Sequence, residues 1–156
     1  MTGVMEGYAD KPIPLKSYAA LATVFNVALA TGIAATKDDL PKRFAPADLV
    51  LLGVATHKYS RLVAKDRVTS FLRAPFVRYE GEGGPSEVSE TPRGQGPQKA
   101  IGELINCPFC LGMWIASGLG LGFVAAPRVT RFVAGIGAAL AVADFLHLAH
   151  AAAAQE

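Results

Sequence analysis

Charge is scarce in this chain, and so is cysteine. Only 18% of its 156 residues are Asp, Glu, Lys or Arg, against 51% that are hydrophobic, and mean hydropathy is +0.32. That balance lies on the membrane side of ordinary soluble composition. The formal net charge is +2, so charge alone argues for no nucleic-acid partner. Two cysteines exclude a disulfide framework. No inverted repeat of the kind that builds transporters is evident, and no βαβ pattern surrounds the cysteines. The length suits one domain.

What is present is a set of long uncharged tracts. A bilayer core of roughly 30 Å is crossed by about 20 apolar helical residues. Ser17 to Thr36 carries no charge, and neither does Leu104 to Pro127. Phe132 to Ala154 carries one, Asp144. Core helices of a soluble bundle would show a polar face, so spanning is the stronger reading. The first tract is longer than the apolar stretch of a secretory signal, and acidic residues precede its lysines, so cleavage is not expected.

A further tract, residues 46–66, begins with helix-start chemistry, Pro46 in the first turn and Asp48 at the positive end of the dipole. Its first half is apolar. His57, Lys58, Arg61 and Lys65 then follow on one stripe, where long cationic side chains reach the headgroups. This helix either crosses or only dips in. The chain therefore divides into an N-terminal tail (1–16), spans at 17–36, 46–66, 107–126 and 129–153, and a middle segment between the second and third spans. Small residues at helix-packing spacing, among them Gly118 and Gly122, and Gly137 and Ala141, predict close helix contacts, within the chain or in a homo-oligomer or with a membrane-complex partner.

With four spans, both termini and the middle segment share one side. Lys11, Lys16, Lys58, Arg61, Lys65 and five further basic residues of the middle segment lie toward it, against Lys37, Lys42, Arg43, Arg128 and Arg131 opposite. The excess of basic residues predicts cytoplasmic termini in a cell membrane. With three spans the C-terminus would lie outside. Within the middle segment, residues 67–79 interleave Arg67, Arg73 and Arg78 with Phe71, Phe76 and Tyr79, which suits anionic lipid headgroups. Residues 80–98, rich in Gly, Pro, Ser and Glu, read as a flexible linker.

Folding the four spans up and down brings the polar residues to one rim. His57, Arg61, Lys65 and Asp66 should meet Cys107 and Cys110, with Asp144, His147 and His150 at the same level. An ionisable residue inside a span is a functional hypothesis by default. For Asp144 the expected partner is Arg61 or a basic residue of 67–78, in a structural ion pair or in a headgroup or substrate site. Arg73 is expected to reach back to Asp66 or to bind a lipid phosphate.

The Cys107-Pro-Phe-Cys110 stretch opens the third span, with Asn106 or Cys107 as cap and Pro108 in the first turn. Three readings stay open. Both thiols with His147 and His150 make a tetrahedral zinc set. A helix N-terminus stabilises a thiolate, which suits thiol–disulfide exchange. The pair also serves simple capping and packing. Trp114, one turn later, suits the membrane interface.

The string SRLVAKDRVTSFLRAPF, followed by CPFCLGMW, resembles an uncharacterised family of small bacterial and phage membrane proteins, catalogued as domain of unknown function 1360. The resemblance rests on Arg61, Asp66, Val68, Thr69, Leu72 and Arg73, then on Cys107, Pro108, Phe109, Cys110 and Trp114. It covers roughly residues 48 to 150. Phe109 stands where many members carry Trp, and the Gly/Pro/Glu segment looks like an insertion. The resemblance implies an integral membrane protein of unassigned activity. It links Asp66, Arg73 and the cysteines as one site. The expectation is an all-α membrane bundle of four spans, or three if the second helix only dips, acting as a scaffold with a lipid-contacting basic loop. The alternative is a membrane thiol-redox or zinc protein.

Overall fold

The computed structural model describes residues 8–9 and 13–154. Most of the expected N-terminal tail, with Lys11, lies outside the described residues. Four long helices form the body: α1 (Leu15–Thr36), α2 (Pro46–Ala64), α5 (Pro108–Ala125) and α6 (Pro127–Ala153). Between α2 and α5 come a one-turn helix α3 (Ser70–Arg73), strands β1 (Val77–Glu82) and β2 (Val88–Pro92), and helix α4 (Gly96–Ile105).

Side-chain pairs fix the directions of the long helices. Asp48 meets Arg131 and Lys58 meets Asp144, so α2 and α6 run parallel. Lys65 meets Asn106 near the start of α5, while Thr56 lies against Gly112, so α2 and α5 are antiparallel. Tyr18 bonds Glu103 and Gly32 faces Leu121, so α1 runs parallel to α5. The result is an up-down bundle in which α2 lies against both α5 and α6. It runs alongside α5 between the same two ends, with 19 residues against 18.

Proline and small residues explain the starts and the packing. Proline in the first turn opens α2, α4, α5 and α6, where its fixed φ suits the helix and its missing N–H is not needed. Ala134, Gly137 and Ala141 are the buried stripe of α6, and Ala55 is fully buried on α2. A Cβ on Gly137 would lie 2.6 Å from the Tyr59 ring, so only glycine lets that ring come this close to α6. Tyr59 also donates to the Val133 carbonyl at 2.6 Å. Gly118, by contrast, has open space around it, and Gly122 meets Thr130 within the same chain.

The outer surface of the bundle is apolar. No residue of α1 is buried, and Val24, Val27 and Ile33 stand exposed. Phe132, Ile136, Leu140 and Phe145 do the same on α6. Among the described residues, the helical stretches Leu15–Asp39, Pro108–Ala125 and Pro127–Ala153 are long and apolar enough to cross a membrane, each with a mean hydropathy of at least 1.6.

The all-α expectation is corrected at residues 77–92, which form an antiparallel hairpin where the sequence suggests a basic loop running into a flexible linker. Val77, Val88 and Glu90 point inward, which is the period of two that marks a half-buried strand. The glycines taken for flexibility build its bends. Gly81, with φ of +151°, follows the register shift after Tyr79, and Gly83 and Gly84 shape the turn. The turn is sewn to the end of α2, Arg67 N–H donating to the Ser86 carbonyl at 3.0 Å and Val88 N–H to the Lys65 carbonyl at 3.0 Å. Helix α4 closes over the sheet through Gly102, where a Cβ would fall 2.5 Å from the Phe76 carbonyl oxygen.

Candidate functional site

The α3–hairpin–α4 cap is organised around Arg73. This guanidinium is fully buried. Its Nε donates to Glu90 Oε2 at 2.6 Å and Nη1 to the Val63 carbonyl at 2.6 Å and Thr69 Oγ1 at 2.8 Å. Nη2 donates to the Asp66 carbonyl at 3.0 Å and to Ser70 Oγ at 3.4 Å. Arg73 thus reaches the main chain of Asp66, not its carboxylate, and its counter-ion is Glu90 on β2. Placing it among lipid phosphates is corrected for the same reason, since its donors are already engaged within the fold. Asn106 extends the network, donating to the Glu90 carbonyl at 2.8 Å and accepting from Lys65 Nζ at 3.1 Å. The end of α2, the hairpin and the start of α5 are therefore locked together by fully used polar groups.

Beside this hub lies a cavity of about 560 Å³ between α2, α6 and the hairpin turn, where charged side chains stand among apolar ones. His57, Arg61, Asp66, Asp144 and His147 all line it, so five of the sequence candidates come together there. The partnerships differ from expectation. Asp144 pairs with Lys58 at 2.7 Å, and Arg61 pairs with Glu87 at 2.5 Å. Arg61 is taken by the hairpin turn, which leaves Lys58, one turn earlier, to meet α6. His57 stacks on Phe145 with ring centroids 6.0 Å apart. Arg67 pairs with Glu82 at 2.9 Å on the exposed rim of the hairpin, and Arg78 is exposed on β1. His150 is exposed farther along α6.

The cysteines do not join that cavity. Both are free thiols, and Cys110 lines a different cavity of about 420 Å³ between α1, α4 and α5. The zinc reading finds no support in this arrangement. Among the described residues no three His, Cys, Asp or Glu side chains converge on a point that would hold a metal. Helix α2, packed between α5 and α6, keeps the two sets apart.

Cys107 caps α5, its sulfur accepting from the Cys110 N–H at 3.3 Å. The apolar cavity beside Cys110 is walled by Phe25 and Trp114, whose rings meet edge to face at 5.1 Å, and by Leu21 and Met113. At its rim the Tyr18 hydroxyl donates to Glu103.

Sequence reasoning missed Glu87, Glu90, Tyr18 and Glu103, and took Asn106 only as a cap. The alternation of Val88 and Glu90 was a usable signal for the hairpin. The partners of the other residues depend on tertiary distance.

A profile of the family described as "Protein of unknown function (DUF1360)" matches residues 51–150. The chain belongs to the DUF1360 family. Within this DUF1360 chain the matched region starts inside α2 and runs through the cap, α5 and most of α6. The UPF0713 protein YngL of Bacillus subtilis (strain 168) is 30% identical over 84 residues, covering 51% of this chain and 60% of YngL. The sporulation protein YjcA of the same strain is 31% identical over 88 residues, covering 54% of this chain and 75% of YjcA. The chain thus matches less than two thirds of YngL. No solved structure matches.

Proposed function

We propose that this DUF1360 protein is a four-span integral membrane protein of the cell membrane, with cytoplasmic termini, whose cap is a scaffold resting on anionic lipid headgroups. The observation that carries this reading is the contrast in surfaces. The exteriors of α1 and α6 are largely apolar, while most charged groups sit toward the two ends of the bundle, the cap at one and Asp48 with Arg131 at the other. Helix α2 supports four crossings rather than three, because it runs beside α5 from end to end and its length of about 28 Å matches the hydrocarbon core.

The lipid-contacting surface is the outer side of residues 67–79. Val68, Phe71 and Leu72 are exposed there beside Arg67 and the exposed Arg78. Apolar side chains among arginines suit insertion at the headgroup layer, with the positive charges on lipid phosphate. The expected result is that protein in nanodiscs containing phosphatidylglycerol shows residues 67–79 protected from hydrogen exchange relative to phosphatidylcholine discs. Arg67→Glu with Arg78→Glu should abolish the difference. Equal exchange in both lipids would remove the headgroup role. Extraction of the protein from membranes by alkaline carbonate would remove the spanning role.

A second reading concerns the thiols. Cys107, capping a helix with its sulfur on the Cys110 N–H, has the arrangement of a thiol prepared for exchange. Its test is thiol trapping in cells, which should capture a Cys107–Cys110 disulfide that forms and is reduced again. Thiols that stay free under oxidative challenge would rule it out.

A further inference from the structure

We infer that the Cys107–Cys110 pair is a dithiol that passes two electrons to a lipid-soluble quinone seated in the apolar cavity between α1, α4 and α5. The inference rests on the thiol reading just given and adds the electron acceptor.

Three observations converge on a flat, apolar, reducible ring. The first is position. Cys110 lines the cavity, and Cys107 lies one turn away with its sulfur on the Cys110 N–H. The second is the wall. Phe25 and Trp114 present aromatic surface, and Leu21, Leu104 and Met113 complete an almost wholly apolar lining. The volume of about 420 Å³ falls within the roughly 300–1,000 Å³ of small-molecule sites. The third is the rim, where Tyr18, the one hydroxyl of an otherwise apolar lining, donates to Glu103 and would turn that donor to a quinone oxygen when the ring enters. The cavity is an open groove along α1, a helix with no buried residue. A ligand dissolved in the bilayer therefore enters sideways without crossing water.

An acyl chain would fill the same groove. It could accept no electrons from the dithiol beside it.

The reaction balances as dithiol plus quinone giving disulfide plus hydroquinone. The Cys110 sulfur adds to the quinone ring, forming a C–S bond, and its proton goes to one quinone oxygen. The Cys107 thiolate then attacks the Cys110 sulfur, so the S–S bond forms as the C–S bond breaks. The departing ring carries the electron pair away and takes the proton that Cys107 released on its second oxygen. The two sulfurs are oxidised, and the quinone is reduced by two electrons. Cytosolic thiols are kept reduced, so the dithiol is the resting form and electrons flow outward from it. A cytosolic dithiol returns the disulfide to its starting state by exchange.

The experiment uses the full chain, purified in detergent and reduced without oxygen. Decylubiquinone is added, and free thiols are counted by maleimide mass tagging while hydroquinone is followed by absorbance. One disulfide and one hydroquinone per chain are expected. Ala22→Trp, which fills the cavity, should slow quinone-driven oxidation about tenfold or more, equivalent to at least about 1.4 kcal/mol on the barrier. Oxidation by water-soluble diamide should be unchanged in that variant, which also reports that it is folded. Tyr18→Phe is a milder second variant and should slow the quinone reaction alone. Disulfide formation with diamide but not with quinone would leave the thiol reading standing and overturn the quinone site. Equal quinone rates in the wild type and both variants would overturn it as well. Failure of diamide to join Cys107 to Cys110 would remove both.

Discussion

The cap and the bundle follow opposite solvent rules within one short chain. The cap hides its most polar side chain. Arg73 is fully buried, pairs with Glu90, and draws on carbonyls from α2 and the 66–70 turn. The bundle does the reverse. It buries alanine and glycine, as at Ala55, Ala134 and Gly137, and turns its large apolar side chains outward. Burying an ion pair requires a set of hydrogen bonds complete enough to replace water. Exposing Phe132, Ile136 and Leu140 is costly in water, and the proposed bilayer would remove that cost. The comparison teaches that polar side chains specify the shape of the cap, whereas small side chains specify the shape of the bundle, where close backbone approach takes the place of hydrophobic collapse.

The largest effect is expected where the cap depends on a single group. Arg73→Leu leaves Glu90 buried without a partner and should destabilise the cap by about 3–5 kcal/mol. Limited proteolysis should then cut within residues 66–106 while circular dichroism in detergent retains the long helices. A cap that stays protease-resistant would show that Arg73 is not its centre. A smaller loss is expected for Gly102→Ala, since the added methyl meets the Phe76 carbonyl at 2.5 Å. Displacement of α4 should raise hydrogen exchange in the hairpin, with a cost of about 1–3 kcal/mol. The smallest belongs to Lys58→Ala. Its partner Asp144 is half-exposed, and pairs of this kind contribute at most about 1 kcal/mol. A shift in melting temperature as large as that of Gly102→Ala would mean that the charged groups of the α2–α6 cavity, like those of the cap, form a closed network.

Much of the bundle was legible in the residues. Uncharged tracts, prolines at helix starts and the Gly137–Ala141 spacing each reflect local chemistry. Convergence of His57, Arg61, Asp66, Asp144 and His147 also followed from running the helices up and down. Three things did not follow. Which cation meets Asp144 depends on the rotation of α2, and Glu87 occupies Arg61 only because the hairpin turn docks at that point. The hairpin itself was obscured by Gly81, Gly83 and Gly84, whose composition suggests flexibility although two of them form the turn and one follows the bulge. The separation of the cysteines from His147 arises because α2 packs between α5 and α6, and a linear pattern does not record that arrangement.

The claim that α2 crosses the membrane, placing the hairpin and the α1–α2 connection on opposite sides, is tested most directly by labelling in intact cells. In a background carrying Cys107→Ser and Cys110→Ser, single replacements Lys42→Cys and Ser86→Cys would be exposed to a membrane-impermeant maleimide. The account predicts labelling at position 42 in intact cells, and at position 86 only after the membrane is opened. Labelling of both positions from the same side would contradict it.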